Sequence, residues 1–171
     1  MLFTEPVFLF VFLPSLLGLY YLPIRLSLRN QLLLFASIVF YARGAGTFTW
    51  FVLGSIAFNY FVALRLDAAR GTPAAARLLR LAVAANLVAL GVFKYTNFLA
   101  ANVNALLGAA HLTAVNVPAI ALPIGISFFT FHAISYVVDV HRGHAVAQKG
   151  PVEAALYLLL FPQLIAGPII R

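Results

Sequence analysis

The chain has 171 residues, of which 64% are hydrophobic and 9% charged; its mean hydropathy is +1.02 and it contains no cysteine. A soluble domain carries about 25% charge and about 45–50% apolar residues, so a water-soluble globule and a disordered chain are both excluded, as are disulfides and thiolate sites. The net charge of +7 comes from 11 Lys/Arg against 4 Asp/Glu, and the basic residues bracket apolar runs, as in a multi-pass membrane protein whose cytoplasmic loops gather positive charge.

A membrane span needs about 20 apolar residues. The first candidate is 6–24, uncharged between Glu5 and Arg25. It has no basic leader and no small-residue cleavage site, so it reads as a retained span with a kink at Pro14 rather than a signal peptide. The second, 30–42, is short and needs Arg29 and Arg43 to snorkel. The third, 44–64, is rich in aromatic residues. A hydrophilic connection, Arg65 to Arg80, turns at Gly71-Thr72-Pro73. The fourth span is 78–93, ending at Lys94.

From Tyr95 to Val138 run 44 residues without Asp, Glu, Lys or Arg. In its first half Asn97, Asn104 and His111 recur every seven residues, which puts them near one helical face. That pattern predicts an amphipathic interfacial helix over 96–112. A further span follows at 119–138, then a polar link, Asp139 to Glu153. The final apolar stretch, 154–170, carries Pro162-Gln163 and Gly167-Pro168. Two helix breaks so close together predict a broken or re-entrant segment lining a cavity, with an ordinary proline kink as the plain alternative.

If the 44-residue run crosses once, the connections at 25–29, 65–80 and 139–153 share one side and hold eight Lys/Arg against two on the other. The positive-inside rule then places them in the cytoplasm and the N-terminus in the periplasm. Polar residues in the apolar runs are the functional candidates. His132 has a pKa range suited to a general base, although a neutral packing role with one hydrogen bond is the simpler reading. His141 and His144 lack a third ligand, so no metal site is expected. An Asp139–Arg142 ion pair anchoring the span end is the expectation for DVHRGH. The basic loop lacks the aromatic residues of a nucleic-acid site; its expected partner is the lipid surface.

Beyond this point the residues carry a resemblance. The string from Leu122 to His132 (LPIGISFFTFH), continuing through Ile134-Ser135-Tyr136 and Asp139 to Arg142-Gly143, is similar to a signature of the membrane-bound O-acyltransferase (MBOAT) family, in its alginate O-acetylation branch. FPQLIAGPI (161–169) resembles the next motif of that branch, and Phe40-Tyr41, Asn59-Tyr60 and Lys94-Tyr95-Thr96-Asn97-Phe98 are similar to earlier segments. The resemblance implies an all-α, polytopic membrane bundle of the bacterial inner membrane. It implies transfer of an acyl group, usually acetyl, to hydroxyls of an exported polysaccharide such as alginate. The donor, acetyl-CoA or an acyl-carrier thioester, would be a substrate, with no bound cofactor; periplasmic acetylation proteins would be the partners.

The family's histidine lies well past FPQLIAGP, so no catalytic residue is expected within these 171 residues, and the chain reads as the N-terminal part of a longer protein. His132, Gln163, Gly167 and Pro168 would then line a channel, with Asp139 and Arg142 at its cytoplasmic rim. A transporter or flippase subunit, or a scaffold of a polysaccharide-export complex, is the rival expectation.

Overall fold

The structure, a computed structural model, describes residues 5–23, 25–118, 120 and 125–166, the last three of these by backbone alone. The described residues form helices and turns, with no strand. A π-helical segment, Phe8–Phe12, leads into α1 (Leu13–Tyr20). The widened turn is the local answer to Pro14, whose ring would clash with the carbonyl four residues back in a regular α-helix; Leu13 N–H donates to Phe8 O instead.

Helix α2 covers Leu26–Ala45 and stops at Gly46, whose φ of 57° lies in the left-handed region. It extends the expected 30–42 at both ends and takes Arg29 and Arg43 into the helix. Arg29 Nη2 reaches back to Leu22 O at 3.2 Å, and its guanidinium lies 5.4 Å from the Tyr20 ring centre. After Gly46 and Thr47, α3 runs Phe48–Ala68. The hydrophilic connection begins inside this helix. Its turn closes on Thr72, which caps the next helix by accepting from Ala75 N–H, and Pro73 takes the first helical position, where its missing N–H costs nothing.

Helix α4 is one unbroken element, Pro73–Ala109. Its 37 residues span about 55 Å, against about 30 Å of bilayer hydrocarbon. Together with α3 it is long and apolar enough to cross a membrane. The expected interfacial helix over 96–112 is therefore not a separate element: residues 96–109 prolong α4. No proline or glycine interrupts Phe93–Ala101 to break it. His111, with φ 56°, turns the chain, and residues 112–118 return alongside α4 without regular structure. Asn104 Oδ1 accepts from Val115 N–H (2.8 Å) while its Nδ2 donates to Val115 O (3.0 Å). Asn97 makes the same reciprocal pair with Ile120, at 2.9 and 2.7 Å. A carboxamide offers the same donor and acceptor as a peptide group. The seven-residue asparagine spacing thus holds a returning backbone to the helix.

Helix α5 (Ile126–Arg142) then packs against α3 and α4. Close approach is set by small buried residues: Ala75 and Ala82 of α4 and Ala133 of α5 are essentially inaccessible and share one core with Val137 and Val140. Where α4 passes α3, Asn59 and Asn86 are buried and bonded reciprocally at 3.2 and 2.9 Å; each also donates to the carbonyl one turn back, Ser55 O or Ala82 O.

The last apolar stretch is broken ahead of Pro162, two residues before the first expected site. Helix α6 (Pro151–Leu159) ends at Leu160, with ψ of 115°, and α7 (Phe161–Ala166) starts at once. A continuous helix would push the Pro162 ring into Leu158 O, so the chain leaves the helical conformation two residues earlier and Pro162 sits in the first turn of α7. The break frees Phe161 N–H, which donates to Ser37 Oγ of α2 at 3.3 Å, itself fully buried. Ser37 Oγ–H in turn donates to Leu33 O. The Phe161 ring completes a cluster with Phe8, Phe12 and Phe40, its ring centres 5.3–6.1 Å away. Gly167 and Pro168, the second expected break, lie outside the described residues.

Candidate functional site

The three basic connections meet at one end of the bundle. Arg70 Nη2, from the α3–α4 turn, donates to Ala145 O at 3.1 Å. Tyr60 Oη, about two turns before the end of α3, donates to Lys149 O at 2.8 Å. Asn30 Nδ2, at the start of α2, lies 3.4 Å from Glu153 Oε1 at the start of α6.

At this end a cleft of about 680 Å³ opens between α5, the 143–150 link and α6. One face of α5 forms its wall: Phe131, Ile134, Ser135, Val138, Asp139 and Arg142, a spacing of three and four residues that keeps all six on one stripe. The stripe is graded. Arg142 and Asp139 stand at the helix end, with His144 beside them, and Phe131 lies about 16 Å deeper along the axis. Tyr157 of α6 closes the far side. Tyr136 Oη accepts from Gln148 N–H at 3.1 Å, which fixes the link against α5.

Asp139 and Arg142 thus share the cleft. They do not make the expected ion pair: among the described residues the ion pair is Arg70–Asp67. Residues 139 and 142 line the opening from one face of α5, and among the described residues no hydrogen-bond partner engages either side chain. The backbone around them is well anchored. Gly143, at φ 77°, ends α5 with its N–H on Val140 O and His144 N–H on Asp139 O, at 3.2 and 2.9 Å.

His132 is elsewhere. It is 2% exposed and outside the cleft lining, stacked between Phe128 and Tyr157, and its Nε2 lies 3.2 Å from Tyr157 O. That carbonyl can only accept, so Nε2 carries the proton and Nδ1 is left without a partner among the described residues. This is the arrangement of a packing histidine that seats Tyr157. Gln163 is half-buried on the first turn of α7, with its N–H on Leu160 O, and does not line the cleft. Gly167 and Pro168 are not among the described residues. Sequence reading does not single out Gln148 or Tyr157, and it names Ser135 and Tyr136 only within the family-like string. The α5 stripe was the available signal, since its polar members fall on the same period as Asp139 and Arg142.

Comparison with known proteins gives the site its context. Over its whole length the chain is similar to the probable alginate O-acetylase AlgI of Azotobacter vinelandii (46% identical over 173 residues, 34% of that protein) and of Pseudomonas aeruginosa (45% over 172 residues, 33% of that protein). The peptidoglycan O-acetyltransferase of Helicobacter pylori is 34% identical over 201 residues, again covering all of this chain and 37% of that protein. The chain spans about a third of the length of the curated relatives it matches. No family model matches it, and neither does any solved structure. Whole-chain similarity to O-acetyltransferases joins an all-helical bundle with two helices able to cross a bilayer: this is a helical membrane protein related to O-acetyltransferases.

Proposed function

We propose that the chain is the N-terminal part of a membrane-bound O-acyltransferase that moves an acetyl group onto hydroxyls of an exported polysaccharide, and that it supplies the donor-side cleft. The observation that carries this reading is similarity along the entire chain, at 34–46% identity, to proteins named for O-acetyl transfer to alginate or peptidoglycan. The gathering of eight Lys/Arg in the three connections at one end, against Arg43 and Lys94 at the other, supports a cytoplasmic cleft and a periplasmic N-terminus in a bacterial inner membrane.

The reaction joins an acceptor oxygen to a thioester carbonyl. The hydroxyl proton passes to a base, and the thiolate leaves and takes up a proton. The base is expected beyond residue 171, where the family resemblance puts it. The cleft residues have a different task. Arg142 and His144 at the mouth suit the anionic part of a donor such as a phosphate-bearing thioester, and the Phe131–Ile134–Val138 wall suits its apolar end. Tyr136, Tyr157 and Ser135 add hydroxyl-bearing side chains to the lining between them.

In the full-length protein Arg142→Ala is expected to raise the donor KM about 5- to 20-fold, the weight of a partly solvated contact to phosphate, with a smaller change in kcat. Asp139→Asn removes a like charge and lowers the same KM about two- to threefold. Steady-state transfer from radiolabelled acetyl donor to polysaccharide reads both. A donor KM indifferent to both substitutions would remove the cleft from the reaction.

A further inference from the structure

The 143–150 link, which walls the cleft, has no regular structure of its own and is held by side chains from other elements. Two of these ties, Tyr136 and Tyr60, come from helices inside the bundle. The third comes from a turn. Arg70 lies in the short connection between α3 and α4, a turn fixed at its far side by the Thr72 cap and at its centre by Gly71, with φ 80°. Asp67, one turn back on α3, binds Arg70 Nη2 through Oδ1. The second hydrogen of the same Nη2 goes to Ala145 O at 3.1 Å. The guanidinium is planar and its donors are rigidly disposed, so the carboxylate sets the direction in which the group meets the link.

The link is shaped to receive it. A Cβ at Gly143 would stand 3.1 Å from Arg70 Nη1, a tight contact, so the guanidinium lies close over the bare Cα. Gly143 makes the left-handed turn that ends α5, and that turn brings the link under Arg70. Just past this turn, His144, Ala145 and Val146 line the cleft. Arg70 itself does not line it.

We infer that Arg70 is a positioning residue for the cleft: oriented by Asp67, it latches the Gly143–Ala145 wall and so sets the shape that a donor meets. The role as donor wall rests on the function proposed above; the latch itself does not. Its loss frees the Ala145 carbonyl and loosens the wall while leaving every lining side chain in place, so the effect belongs to donor binding.

The test uses the full-length protein freed of native cysteines, with a nitroxide attached at Val146→Cys, a position 71% exposed. Arg70→Ala is expected to raise the mobile fraction of the label and to increase the donor KM about three- to tenfold, with kcat within about twofold. Arg70→Lys, which keeps the charge but lacks the rigid planar fork, should restore part of each change. A label whose motion is the same with and without Arg70 overturns the latch. A label that is freed while the donor KM stays constant leaves the latch standing and overturns the donor reading of the cleft.

Discussion

Replacing Phe161 by Ala should destabilise the protein by about 2–3 kcal/mol in detergent or nanodisc unfolding, the largest effect expected of any single truncation here. The ring is buried against Phe8, Phe12 and Phe40, two of these contacts edge-on and one tilted, a geometry worth up to about 1.5 kcal/mol per pair beyond area. In water the lost transfer energy would add to this. In a bilayer it largely vanishes, because lipid tails are as apolar as the side chain they replace. What remains is lost packing, and here it falls on the junction where α6 breaks and α7 begins. Phe161→Leu, which keeps most of the volume, should cost less than half as much. If the Ala variant unfolded within about 0.5 kcal/mol of the parent, the aromatic cluster would not be what seats α7.

The second large effect belongs to the buried asparagine pair. Asn86→Leu leaves the Asn59 side chain facing an apolar partner, and should cost about 1–2 kcal/mol, between the cost of an orphaned polar group and the smaller values found inside membranes. Asn59→Leu should cost about the same. The double variant should be more stable than the sum of the two losses predicts, by about 1 kcal/mol, because it leaves no orphan behind. A double-mutant cycle measured by thermal unfolding decides the matter. Strict additivity would mean that the two amides, 2.9 and 3.2 Å apart in the structure, do not act as a pair.

Much of the architecture can be read from charge and apolar length, because a bilayer punishes any unpaired backbone. Arg25, Arg43 and Arg65 do fall within a few residues of a helix end, whereas Lys94 lies well inside α4. The region 96–112 misleads for a definite reason. Asparagines every seven residues look alike whether they face water or a returning chain, and only the positions of Val115 and Ile120 tell the two apart. Helix α6 ends two residues before Pro162 because the clash falls on the carbonyl four residues back, which a proline in the sequence does not by itself locate. Asp139 and Arg142 both line the cleft, but as separate groups rather than the expected ion pair. His132 carries the most chemical promise in the sequence and packs behind Tyr157 instead. Arg70 and Gly143 could not be paired from their positions in the chain, since 73 residues separate them and no periodicity links a turn to a distant helix end.

The central claim is that the basic end of the bundle, with its cleft, faces the donor in the cytoplasm. It is tested most directly by the sidedness of one cysteine at Val146→Cys in the full-length, otherwise cysteine-free protein. A membrane-impermeant maleimide should modify it in inverted inner-membrane vesicles and not in intact spheroplasts, and saturating acetyl donor should slow the reaction. Modification from the periplasmic side would contradict the account.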